Sequence, residues 1–323
     1  MTALPIDAAT RLLVIAPHPD DEIIACGGLL QAVAQAGGRA RVLFATDGDN
    51  NPWPQRVSER RLRLDAGARK RWGTLRRAEA AAALDALRCD GLDGMHIGWP
   101  DGELTTLLAP PRSVEAIDTL TDVMADFAPT MVMVPAFGDY HPDHSALALL
   151  ATLALRRFPG VRSGSFHIHV PPSGAGQEWS LVLDTQALER KRDGLRCYGS
   201  QLHFGKQRLL KFARAHESFD IGTGVPGTIA AGDRWRWRIA LPGWMAKLGA
   251  RHLHILALDG SGTLLDQRLP LSDPRLKAKR RNGALEIDMQ PLLSGAHQVF
   301  AKVEHGVESF AYDITLWTAT EPG

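Results

Sequence analysis

Residues 16–22 read Ala-Pro-His-Pro-Asp-Asp-Glu, and His141-Pro-Asp-His144 follows far downstream. Imidazole nitrogen and carboxylate oxygen are the donors that hold zinc, and a catalytic zinc site needs three protein ligands with one position left for water. His18, Asp21 and His144 can supply such a set. Asp20 then stands beside a ligand without being needed as one, and a carboxylate next to an activated water can take its proton. The two clusters together point to metal-assisted hydrolysis. A plainer reading stays open for each alone. Asp20, Asp21 and Glu22 can cap a helix and complement its dipole, and His-Pro-Asp-His can be a polar loop.

Each cluster follows a short apolar run. Leu12–Ala16 precedes the first, and Thr130–Pro135 the second. Such runs suit strands buried on both faces. Helical spacing begins at Ile23 and stops near Gly37-Gly38, and again spans Ser145–Arg157. Further strands are expected at Arg39–Thr46 and Met95–Trp99, with helices at Arg77–Leu87 and Ser113–Phe127. This alternation predicts an α/β domain, Rossmann-like, with a mostly parallel sheet flanked by helices. In such sheets ligands bind at the carboxyl-terminal strand edge, where both clusters would fall. Gly27-Gly28 lies inside a helix and lacks the spacing of a phosphate-binding loop.

The composition shifts near residue 220. Gly222-Thr-Gly-Val-Pro-Gly227 reads as a linker, and the chain then alternates: Arg234–Leu241, Leu253–Leu258, Leu264–Leu269, Leu285–Met289, Gln298–Val303 and Phe310–Trp317. The expected organisation is a first domain over 1–221 and a C-terminal β-rich, sandwich-like domain over 222–323.

The chain has 323 residues and a formal net charge of +1, so no strong field favours nucleic acid or an anionic membrane. No apolar run reaches the ~20 residues of a membrane span, and the N-terminus lacks a signal-peptide pattern. A cytoplasmic protein without stable membrane insertion is expected. Three scattered cysteines fit a reduced compartment and form no zinc-ligand spacing.

His18-Pro-Asp-Asp-Glu22 after a strand, with His141-x-x-His144 downstream, resembles the PIG-L (LmbE-like) zinc-dependent N-deacetylases. Thr46-Asp-Gly48, Arg76-Arg-Ala-Glu79, Trp99-Pro-Asp-Gly102, and Lys191 ahead of Tyr198-Gly-Ser-Gln201 agree in order. The resemblance covers roughly residues 10–205 and leaves the β-rich tail outside. It implies that His18, Asp21 and His144 bind zinc, that Asp20 is the general base, and that His141 stabilises the oxyanion and assists amine departure. The donor set alone also admits another divalent ion such as Fe2+. The implied reaction is removal of the N-acetyl group from an N-acetylated amino sugar or its conjugate.

Two other functions remain: a zinc amidase on a non-sugar N-acyl substrate, and a non-catalytic carbohydrate-binding protein. The presence of both Asp20 and His141 argues against the second.

Asp101, Arg76 and Arg77 are candidate substrate contacts. The alternatives are a Pro-Asp-Gly turn for Asp101 and a solvated helix start for the arginines. Asp47 can support the metal shell or simply form a turn. The basic stretch Arg56, Arg60, Arg61, Arg63, Arg69, Lys70 and Arg71 can attract an anionic substrate, although a solvated helix or loop accounts for it as well. His167 and His169 alternate as on one strand face. Trp235 and Trp237 do the same, which suits sandwich core better than sugar stacking.

Overall fold

The computed structural model describes residues 2–169, 178–222, 236–240, 250–259, 264–281, 284–289, 292–293, 296–305 and 317–319. The chain separates into two compact units. The first comprises 1–136 and 146–224; the second comprises 137–145 and 225–323.

In chain order the first unit opens with β1 (Thr2–Ala3), β2 (Arg11–Ala16), α1 (Asp21–Gln35), β3 (Arg39–Thr46), α2 (Pro52–Glu59), α3 (Ala66–Ala86) and β4 (Leu92–Trp99). It continues with α4 (Arg112–Phe127), β5 (Met131–Pro135), α5 (Pro142–Leu155), β6 (Arg162–Phe166), β7 (Glu178–Val182), α6 (Thr185–Cys197), α7 (Gly199–Leu210) and β8 (His216–Ile221). The first four residues of α5 fall in the segment grouped with the second unit. The sheet has eight strands in the order β1-β7-β8-β6-β5-β2-β3-β4. Strands β4, β3, β2, β5 and β6 run parallel, while β8 pairs antiparallel with both β6 and β7. The mostly parallel α/β sheet read from the alternation is therefore present, with one reversed strand.

The central strands are continuous apolar runs because helices cover both faces. Leu12, Val14, Val42, Phe44, Met131 and Met133 are buried with Ile23, Leu29 and Leu30 of α1 and Ala80, Ala83 and Leu84 of α3. Leu12 pairs with both Ala40 and Met131, so β2 lies between β3 and β5 in parallel register. The loops that leave these three strands consequently start at one edge.

Two local differences from the sequence reading have physical causes. The helix expected from Arg77 begins at Ala66, because the Asp65 carboxylate accepts the Ala68 N–H at 2.7 Å and caps it there. His167 and His169 do not share a strand face, since β6 ends at Phe166.

The second unit holds β9 (Arg236–Ala240), β10 (Ala250–Asp259), β11 (Leu264–Pro270), β12 (Lys279–Arg281), β13 (Ala284–Asp288), β14 (Ala296–His305) and β15 (Thr318–Ala319). They form two antiparallel sheets, β11-β10-β14-β15 and β12-β13-β9. Leu253, Ile255 and Val303 of one sheet share an apolar cluster with Leu285 and Ile287 of the other, as the inward faces of a sandwich do. Phe137 packs near Phe300 within this unit, ring centroids 5.8 Å apart. Trp235 and all but Trp317 of the strand expected at Phe310–Trp317 lie outside the described residues, as does the side chain of Trp237.

Candidate metal centre

The first cluster sits where β2 ends and α1 begins. Thr46 at the end of β3 ties this turn down, its N–H and Oγ1 both donating to the Pro17 carbonyl. Asp21 Oδ2 accepts the His18 N–H at 3.0 Å and lies 3.2 Å from His18 Nδ1. Two donors each ~2.0–2.1 Å from a tetrahedral zinc stand roughly 3.3 Å apart, so this spacing fits two ligands of one ion.

Asp20 occupies the N-cap position with φ 116° and ψ −31°, and its side chain makes no cap hydrogen bond. A non-glycine residue held there costs roughly 1–3 kcal/mol, and such strain persists only where neighbours over-determine it. The carboxylate instead bonds to another helix. Arg76 of α3, only 3% exposed, meets it: Nη2 donates to Asp20 Oδ2 at 3.2 Å and to the Pro19 carbonyl, and Nη1 donates to Gly48 O at 3.4 Å. Glu22 Oε2 accepts the Asp20 N–H at 2.9 Å, and its Oε1 accepts the Tyr198 hydroxyl. Burial pushes the Glu22 carboxyl up to about 8, against the lowering effect of Tyr198 and the Asp20 amide.

Asp101 lies after β4 and is 9% exposed. Its Oδ1 is 3.2 Å from His18 Nε2, and its Oδ2 accepts the Asn50 N–H at 2.6 Å. Burial alone would raise its carboxyl; the hydrogen bond and charge of His18 outweigh that and hold it down at about 2. The Asp101 carboxylate on Nε2 leaves Nδ1 for an ion, the arrangement that orients a metal-bound imidazole. Asp47 Oδ1 faces His96 Nδ1 at 3.2 Å, and its Oδ2 accepts from half-exposed Arg77 at 2.6 Å. Of the three candidate substrate contacts, Arg76 and Asp101 are buried against other protein groups, while Arg77 is more open.

Within the segment 137–145, Asp139 is fully buried. Its Oδ1 accepts the His141 N–H at 2.9 Å, and its Oδ2 lies 3.4 Å from His144 Nδ1. The Asp143 N–H donates to His141 Nδ1 at 3.2 Å, and the two imidazole centroids are 5.0 Å apart. The imidazole and carboxylate donors gathered at each of these two places suit a divalent ion of the zinc type.

Sequence reasoning passed over three residues. Glu22 read as a helix cap, yet it accepts from Tyr198 and from the amide of its neighbour. Tyr198 belonged to a matching motif without a role. Asp139 in Gly-Asp-Tyr reads as a turn, and nothing local signals that its carboxylate reaches two histidines. An unusually polar residue bracketed by apolar strand and helix would have been the one available hint.

Residues 13–155 match the family described as "PIG-L: GlcNAc-PI de-N-acetylase". A 1D-myo-inositol 2-acetamido-2-deoxy-alpha-D-glucopyranoside deacetylase of Mycobacterium sp. (strain JLS) is 29% identical over 188 residues, covering 54% of this chain and 59% of its own. The match therefore spans less than two thirds of that relative. Among solved structures, an A40926 pseudoaglycone deacetylase has a TM-score of 0.53 at 22% identity, with 68% of this chain and 100% of its own covered. The 4-carboxy-2-hydroxymuconate hydratase GalB of Pseudomonas putida KT2440 has a TM-score of 0.51 at 17% identity, covering 68% of this chain and 98% of its own. At such identities the structures share a fold, and that fold serves more than one reaction.

Proposed function

Residues 13–155 belong to the PIG-L family, and on that premise we propose that the chain is a metal-dependent N-deacetylase acting on an N-acetylated amino sugar or its conjugate. His18, Asp21 and His144 would hold the ion, with zinc the preferred metal. The ion, when bound, supplies a Lewis acid toward the acetamide carbonyl and eases deprotonation of the attacking water. Asp20 takes that proton at its carboxylate. His141 stabilises the developing oxyanion and delivers a proton to the departing amine. The products are acetate and a free amino group. Asp101 orients the His18 ring, Arg76 steadies Asp20, and Arg77 is the candidate of the three best exposed for the substrate.

The observation that carries this reading is the turn at residues 18–21. It sets His18 Nδ1 and Asp21 Oδ2 at the spacing of two ligands of one ion, and holds Asp20 in a strained conformation that serves no helix cap. The test is acetate release from a panel of N-acetyl sugars and conjugates, with zinc-loaded and chelator-treated protein. Metal-dependent release from at least one sugar is expected. Release only from non-sugar N-acyl compounds would move the assignment to a general amidase. Zinc binding with no release anywhere would overturn the hydrolase reading, and GalB shows that this fold hosts other chemistry.

A further inference from the structure

The late motif Tyr198-Gly-Ser-Gln201 lies at the junction of α6 and α7, and no step above uses it. Tyr198 and Glu22 are both fully buried. The Tyr198 hydroxyl donates to Glu22 Oε1, and Glu22 Oε2 accepts the Asp20 N–H at 2.9 Å. Two residues past the tyrosine, the Ser200 N–H and Oγ donate to the buried Glu79 carboxylate at 2.7 and 2.5 Å. Glu79 sits on α3 one turn from Arg76, which grips Asp20 Oδ2 and the Pro19 carbonyl. The bonds thus close a ring: α3 to Asp20, Asp20 to Glu22, Glu22 to Tyr198, and the α6–α7 junction back to α3.

A ring of this kind is what a strained residue needs. Asp20 has φ 116°, which an aspartate leaves unless its backbone is held. Arg76 holds it from the carboxylate side, and Glu22 holds its N–H. Glu22 is one flexible side chain, and Tyr198 fixes its far oxygen. We infer that Tyr198 and Glu22 form a brace that keeps Asp20 in its positive-φ conformation, which makes Tyr198 a positioning residue for the base. The inference rests on the reading of Asp20 as that base.

The test compares wild type with Tyr198→Phe, which keeps the ring's packing and removes the hydroxyl. Steady-state kinetics, metal content and melting temperature are measured on the full chain, and both proteins are crystallised. A displaced base is expected to lower kcat about 10–100-fold with KM and metal content unchanged. The Asp20 φ should leave its wild-type value. Ser200→Ala loosens the same ring one step further out and should lower kcat about threefold. A purely structural tyrosine would lower the melting temperature and leave kcat per folded, metal-loaded molecule alone, which would overturn the brace. If Tyr198→Phe does not fold, Ser200→Ala decides by the same measures. If wild type releases no acetate from any substrate, the functional reading fails, and Asp20 φ in the two crystal structures still decides the brace.

Discussion

Two buried polar clusters touch helix α1. Midway along it, Glu217 accepts the Gly28 and Leu29 N–H groups at 2.7 and 2.9 Å, and Lys191 donates to the same carboxylate at 2.5 Å. Opposite charges meet there, and both backbone donors are satisfied. Gly27 makes room for the lysine stem, since a Cβ there would stand 3.2 Å from Lys191 Cγ, and a Cβ on Gly28 would come within 2.6 Å of Leu183. At the N-terminus of the same helix, Asp20 has a strained backbone and turns its carboxylate off the helix, and Glu22 is buried against a neutral hydroxyl and an amide rather than a cation. One cluster matches charge with charge, so that losing either partner is costly. The other keeps strain and an awkwardly buried acid, which is where catalytic groups tend to be found.

Four changes break or sharpen that contrast. Lys191→Met should leave Glu217 buried without its cation and destabilise the protein by about 3–5 kcal/mol, read by denaturant unfolding, while activity per folded molecule is kept. Gly28→Ala should overpack against Leu183 and cost about 1–3 kcal/mol in the same assay. Asp101→Asn removes the charge facing His18 Nε2 and should weaken metal affinity about 10–100-fold by chelator competition, together with the stability that the lowered carboxyl contributes at neutral pH. The smallest effect is expected in the second unit. His254 there lies 2.7 Å from Asp266. Its burial disfavours the charged ring, but hydrogen bonds and charge from Asp266 and Glu304 outweigh this and raise its pKa. Its contribution to stability should be complete below the unfolded histidine value of ~6.5 and fade as pH rises through the higher folded value. His254→Gln should flatten that part of the stability–pH curve.

Much of this was legible in the chain. The strand at Arg39–Thr46 was bounded correctly because Gly37-Gly38 and Asp47-Gly48 punctuate it on either side. The edge that gathers the loops after β2, β3 and β5 followed from alternation alone. What stayed hidden depends on contacts distant in sequence. Asp101 looks like a turn residue until His18 is seen 3.2 Å away. Arg76 looks solvated until α3 is seen to bury it, since the helix begins at Ala66 rather than at Arg77. Positive φ at Asp20 has no signature in Pro-Asp-Asp-Glu, because aspartate there ordinarily caps a helix.

The central claim is that Asp20 serves chemistry rather than fold. Its most direct test is Asp20→Asn, assayed for melting temperature, bound metal and acetate release on the same preparation. The account predicts an unchanged melting temperature, full metal content and acetate release lower by about 10³-fold. A variant that keeps its turnover, or loses it only through lost metal or lost folding, would contradict the account.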